Sequence, residues 1–174
     1  MDLKNKYKEI ISKYGYDILL LQQNKKRRCS CYDEKTQSAD RRCPFCYGLG
    51  YVSTITRQKI RDIDSGVPVT LPLITATNTY GGLSVATRAY YFLPEATLTE
   101  NDLIIDVEWQ GDTPIYTGKG IYQIAHIDPQ RFEGGELIFN KAYVKDTPIN
   151  KQIRGFKIVQ DNNKVFYELS EERG

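Results

Sequence analysis

The first sixty residues change their apolar period midway. Leu3, Tyr7, Ile10, Ile11 and Tyr14 recur at i, i+4, i+7, i+8 and i+11, the spacing of one apolar helix face. Lys4, Lys6, Lys8 and Lys13 fall off that face, Asp2 stands at a capping position, and Gly15 is placed to end the helix. The pattern predicts a short helix packed on a sheet. Tyr16–Gln23 then predicts a strand, and Tyr51–Gln58, rich in β-branched residues, predicts the next. The two are expected to pair, with a long excursion between them.

Residues 61–82 lose both periods. Asp62, Asp64, Gly66, Pro68, Pro72, Asn78, Gly81 and Gly82 punctuate them, and Val67, Val69, Leu71, Leu73 and Ile74 are dotted between. A stretch this long without regular structure predicts an arm that docks on a neighbour. From Leu83 the chain alternates as β. Leu83–Phe92 has Leu83, Val85, Thr87, Ala89 and Tyr91 on one face. Leu103–Trp109 follows the polar Thr99–Asp102, and Gln110–Pro114 is a turn. Ile121–Ile127 and Glu136–Val144 flank Gly134-Gly135, and Ile153–Gln160 and Val165–Leu169 form a hairpin through Asp161–Asn163. The expected fold is mainly β: a small antiparallel barrel or sandwich with one N-terminal helix. Residues 1–60 hold the helix, a strand and a cysteine loop, 61–82 the arm, and 83–174 the β body, which forms one compact unit with 1–60.

The candidate chemistry lies in the excursion. All four cysteines, Cys29, Cys31, Cys43 and Cys46, fall within eighteen consecutive residues as C-x-C and C-x-x-C, eleven residues apart. That spacing suits a closed tetrahedral site of four thiolates, with structural zinc the usual occupant. Pro44 stiffens the C-x-x-C bend, and Gly48 and Gly50 allow positive φ where N–H groups must fold back towards sulfur. Two disulfides are the first alternative, set against the lack of a signal-peptide pattern. Redox chemistry at Cys43-Pro-Phe-Cys46 is the second, but Tyr-Gly-Leu-Gly follows where a helix is required. Four protein ligands leave no open position for a substrate.

Charge adds an asymmetry to this picture. The net charge is +2 over 174 residues, yet residues 1–60 carry 13 Lys/Arg against 6 Asp/Glu (+7), and residues 61–174 carry 11 against 16 (−5). Lys25, Lys26, Arg27 and Arg28 run into Cys29, and Arg41 and Arg42 into Cys43. These cations offset the charge of a four-thiolate site, and they are also the candidates for contact with DNA or an acidic partner. Tyr32, Phe45, Tyr47 and Tyr51 are available for base stacking. The single histidine, His126, lies mid-strand beside Asp128, and no P-loop, nucleophile elbow or dinucleotide fingerprint is present. An enzyme is disfavoured. No apolar run approaches a membrane span, so a protein made in the cytoplasm with no membrane partner is expected.

Two resemblances follow from these residues. Cys43-x-x-Cys46-x-Gly48-x-Gly50 resembles one repeat of the cysteine-rich region of J-domain co-chaperones, and this implies a zinc-knuckle geometry only. The wider order of elements resembles the small neck proteins of tailed bacteriophages, the head-completion or head-to-tail connector class. The order is a short helix, a strand, the cysteine loop and then β structure. Asn101–Ile105 and Gly120–Pro129 are similar to the centre of phage stopper barrels, and the arm at 61–82 has its counterpart there. The resemblance implies a virion protein forming a homo-oligomeric ring in the neck, with portal or adaptor and tail proteins as partners and non-specific contact with packaged DNA. A zinc-knuckle nucleic-acid-binding protein is the alternative.

Overall fold

The computed structural model describes residues 3–40, 42–43, 45–63, 69–70, 85–86, 88–118, 120–146 and 155–170. Helix α1 (Leu3–Tyr14) leads into β1 (Tyr16–Arg28), and β2 (Tyr32–Asp33) and β3 (Ser38–Ala39) form a small hairpin inside the cysteine loop. After β4 (Tyr51–Ile63) come β5 (Val69–Thr70), β6 (Val85–Ala86), β7 (Arg88–Phe92), β8 (Leu103–Ile105), β9 (Glu108–Gln110) and β10 (Thr113–Ile115). The chain then forms β11 (Ile121–Arg131), a short 3₁₀ turn (Glu133–Gly135), β12 (Leu137–Asp146), β13 (Gly155–Asp161) and β14 (Lys164–Ser170).

Six of these strands close on themselves in the order β1-β8-β11-β12-β7-β4, with β4 paired back to β1. The fold is therefore a closed antiparallel barrel rather than a sandwich. Closure removes the two free edges that an open sheet of these strands would expose. The β13–β14 hairpin attaches outside the ring, where Tyr167 pairs with Ile55 of β4.

Strand β1 shows why the barrel has two cores. Ile18, Leu19, Leu20 and Leu21 are all buried. Side chains alternate along a strand, so a continuous apolar run needs cover on both faces. Ile18 and Leu20 point into the barrel with Ile60, Tyr90, Phe92, Ile104, Ile124, Ala142 and Val144. Leu19 and Leu21 face outward into a second cluster with Tyr47, Ile55, Leu103, Ile105, Val107 and Tyr167. Trp109 from the β9–β10 hairpin and Phe156 and Leu169 from β13–β14 cover that outer cluster. The indole N–H of Trp109 donates to the Asp17 carbonyl at 2.8 Å, and its ring meets Tyr167 edge-on at 5.8 Å.

The structure departs from the sequence expectations at several points. The expected strands 16–23 and 51–58 run on to Arg28 and Ile63, paired from Tyr16↔Ile60 to Arg28↔Tyr51. On β7 it is Tyr90 and Phe92 that fill the barrel, whereas Ala89 and Tyr91 lie on the opposite face. The expected strand 103–109 breaks at Asp106-Val107, where the chain leaves the barrel wall to start β9. Helix α1 lies over β12 and β4 with Ile11 buried and the Tyr7 ring tilted against Phe139 at 4.9 Å, but Tyr7, Ile10 and Tyr14 of its apolar face stay exposed. Gly15 follows the helix end, where a Cβ would lie 2.2 Å from the Ile11 carbonyl oxygen and 2.5 Å from that of Ile60, so only glycine fits against β4 there. Asn162 and Asn163, at φ 47° and 61°, make the tight turn expected between the last two strands.

Much of the expected arm, 64–68 and 71–82, lies outside the described residues, as do Asp2 and, from the expected strand 83–92, Leu83, Ser84 and Thr87. Where it is described, the segment is strand. Arg61 and Asp62 pair with Tyr91 and Tyr90, and Val69 and Thr70 pair with Ala86 and Val85.

Candidate metal centre

The cysteine loop leaves the barrel where β1 and β4 diverge. Cys29 N–H donates to the Gly50 carbonyl at 3.0 Å, closing the neck of the loop. The eleven residues between the cysteine pairs are occupied by the β2–β3 hairpin, with Gln37 at φ 49° in its turn. The carboxylates of Asp33 and Asp40 accept from the N–H groups of Lys35 and Arg42, each at 2.9 Å. These turns bring C-x-C back over C-x-x-C.

The four Sγ atoms lie within 4.8 Å of one another, with Cys29–Cys43 at 3.5 Å and Cys31–Cys46 at 3.4 Å. A tetrahedral ion with metal–sulfur arms of about 2.3 Å requires sulfur–sulfur edges of about 3.8 Å. The observed separations bracket that value. They exceed the ~2.05 Å of a disulfide bond, and all four thiols are free. Cys29, Cys43 and Cys46 are buried, and Cys46 is fully so.

Backbone N–H groups aim at the sulfurs: those of Phe45 and Cys46 at Cys43, those of Gly48 and Gly50 at Cys46, and that of Asp40 at Cys31. Gly48 and Gly50 both have φ 79°, and Tyr47 between Cys46 and Gly48 has φ 53°. The left-handed turn expected of Gly48 and Gly50 is therefore present. Burial alone would raise the Cys43 thiol, but the N–H groups of Phe45 and Cys46 bring it down to about 7. Burial pushes Cys31 up to about 12, reinforced by Cys46 and Cys43. A site with one thiol ready to ionise and a second resisting it needs an external positive charge to hold all four as thiolates. The donor set, spacing and N–H dipoles fit a metal ion.

The basic flanks divide into different roles. Arg28 is clamped between the rings of Tyr32 and Tyr51, with centroids 4.2 and 4.4 Å from its guanidinium carbon. All three residues are thereby engaged with one another. Lys25 donates to the Glu100 carbonyl at 3.3 Å. Lys26, Arg27 and Arg42 are exposed. Arg41 and Pro44 lie outside the described residues. Tyr47, expected among the stacking side chains, is buried and anchors the loop in the outer cluster. Of the four aromatics Phe45, at 61 % exposure, is the most open to solvent, and Tyr32 and Tyr51 are half-buried. Tyr47 and Leu49 pack against the barrel wall, so the loop is held there as well as at its cysteines. No periodic signal marks Tyr47, because it is a loop residue whose cover comes from β14, 120 positions away.

A second polar cluster escaped the sequence reading. Arg88 Nη1 donates to the hydroxyls of Tyr90 and Tyr122 at 3.3 and 3.1 Å and lies 3.6 Å from Asp106 Oδ2. Its members come from β7, β11 and the β8–β9 bend, so no local spacing could reveal it. His126 stacks on Tyr143 at 6.3 Å, with Glu100 3.5 Å from Nδ1. Among the described residues no helix is long and apolar enough to cross a membrane.

The fold and site define a closed six-stranded β-barrel carrying a four-cysteine cluster able to hold a metal ion. The sequence matches no protein-family description and no curated protein.

Proposed function

We propose that this chain is a structural component of a tailed-phage virion, forming a ring in the neck that joins or closes the DNA-filled head to the tail. The observation that carries the reading is the closed barrel with the four-cysteine loop carried between β1 and β4. A rigid body with a surface loop braced on its wall suits a ring subunit that must meet its neighbours. The four-cysteine cluster is read as structural zinc, stiffening a surface loop that among the described residues packs on the barrel through Tyr47 and Leu49. The charge is unevenly spread along the chain, +7 over residues 1–60 and −5 over residues 61–174, which suits the heterologous contacts from which rings close. The localisation that follows is the virion neck, and the partners are portal or adaptor and tail proteins.

Purified protein mixed with portal rings tests the reading by electron microscopy and mass measurement. Added density at the portal exit with a defined stoichiometry supports it. No capture by portal or by tail components overturns it.

One observation favours the second reading, a zinc-knuckle nucleic-acid-binding protein. Phe45 is exposed on the metal loop with Arg42 nearby in sequence, and Lys26 and Arg27 are exposed on β1. Generic single- or double-stranded DNA binding that falls steeply with salt, without portal capture, would establish that alternative.

A further inference from the structure

The order of the large sheet ends at β13, so among the described residues this strand is paired on one side only, with β14. β10 packs near β13 but does not pair with it. Phe156, Tyr167 and Leu169 carry one face of the hairpin into the outer cluster. Towards the turn that face outruns its cover, and Ile158 and Val165 are each 44 % exposed. The turn itself is the two residues Asn162 and Asn163, so Asp161 and Lys164 flank it as a hydrogen-bonded pair. Alternation then points the backbone N–H and C=O of Ile158 and Gln160 away from β14. These groups are an edge that one more strand can meet.

The other face of the hairpin is patterned in charge. Lys157 stands opposite Glu168, Val159 opposite Phe166 and Asp161 opposite Lys164. The four charged residues are exposed, and Val159 and Phe166 are half-buried between them. A second β13 laid antiparallel about Val159 continues every row. Lys157 meets Asp161 of the second copy, so the row Glu168–Lys157–Asp161–Lys164 alternates in sign across four strands. The symmetric row does the same, and the two Val159–Phe166 pairs form an apolar row between them. Ile158 meets Gln160, so ladder bonds form at the groups that point outward. Other centres lose this match. Centring on Lys157 or Asp161 opposes like charges, and centring on Ile158 or Gln160 sets a charge opposite Val159.

We propose that two copies of this chain join through their β13 edges, antiparallel and centred on Val159, into one four-stranded outer sheet. The contact is isologous. It does not rest on the neck reading, which stands or falls on portal capture.

Sedimentation velocity of the full chain over a concentration series tests the contact, with thermal unfolding followed for each variant. K157E faces Asp161 of the other copy with a like charge, and D161K does the same to Lys157. Each is expected to weaken the dimer at least about tenfold, since both symmetric rows turn from attractive to repulsive. An equimolar mixture of the two variants restores the dimer, because both rows then pair opposite charges. Q160P removes an N–H that points away from β14, on an edge strand where proline is tolerated. It is expected to abolish the dimer and leave the unfolding midpoint little changed. A wild-type chain that stays monomeric throughout, or a dimer that persists unchanged in Q160P, overturns the contact. A mixture of K157E and D161K that fails to recover overturns the pairing about Val159.

Discussion

Cys46 is the most enclosed of the four thiols, and two glycine N–H groups point at its sulfur. Removing that sulfur leaves three ligands and opens the site to water. C46S and C43S are each expected to lose bound metal almost entirely by elemental analysis while far-UV circular dichroism keeps its β signature. Retention of one ion per chain in both variants would show that fewer than four sulfurs suffice. Gly50 makes a sharper stereochemical point. At φ 79° a Cβ there would sit 2.9 Å from the Tyr32 ring, the same ring that clamps Arg28. G50A should cost about 1–3 kcal/mol in denaturant unfolding, the usual scale for a non-glycine residue held in a strained region. A cost near zero would mean that Tyr32 moves freely and that the Arg28 clamp is dispensable.

Among the elements, the β13–β14 hairpin has the least obvious role in the sequence. It lies outside the barrel, yet it supplies Tyr167, Phe156 and Leu169 to the outer cluster that also seats Tyr47 of the metal loop. The hairpin therefore links barrel stability to the loop. Y167A should destabilise the protein by about 3–5 kcal/mol, by analogy with truncating a large buried aromatic. It should also speed metal release to a chromogenic chelator, because Tyr47 loses its cover. Destabilisation with an unchanged release rate would mean that loop and hairpin are energetically separate. On the facing side, Arg57 lies 4.0 Å from the Trp109 ring and is ion-paired with Asp17 at 2.5 Å. This locks the β9–β10 hairpin down over β1 and β4.

The whole molecule is a barrel with its own inner core and a loop gathered around four cysteines. Chelation is therefore expected to act locally. Hydrogen exchange after metal removal should rise across residues 29–50 and stay protected in Ile18–Leu21 and Leu103–Ile105, which are buried on both sides. Uniform loss of protection would mean that the ion holds the barrel as well. Acid should reproduce the effect of the chelator. Metal binding requires thiolates, so protons compete as pH falls, and the stability the metal supplies is present at neutral and higher pH and lost on acidification. If bound metal stayed constant through mild acid, the ligands would not be the four thiolates.

Local chemistry was readable along the chain. The cysteine spacing, Gly48 and Gly50, the Asn162-Asn163 turn and the pairing of the strands either side of the loop all depend on neighbours a few residues apart, or on one pattern repeated along a strand. The barrel's closure, the second core outside it and the Arg88–Asp106 cluster were not readable. They depend on which strand faces which, and a run such as Ile18–Leu21 says only that both faces must be covered, not by what. Tyr47 and Arg28 show the same limit for single residues. Sequence places both beside a metal site in a basic, aromatic stretch, but only the folded chain turns one into an anchor under β14 and stacks the other between two rings. Sequence alone determined the candidate ligands and the β character. Tertiary structure decided which side chains remain free to meet a partner, because exposure is set by contacts between segments that lie far apart in the chain.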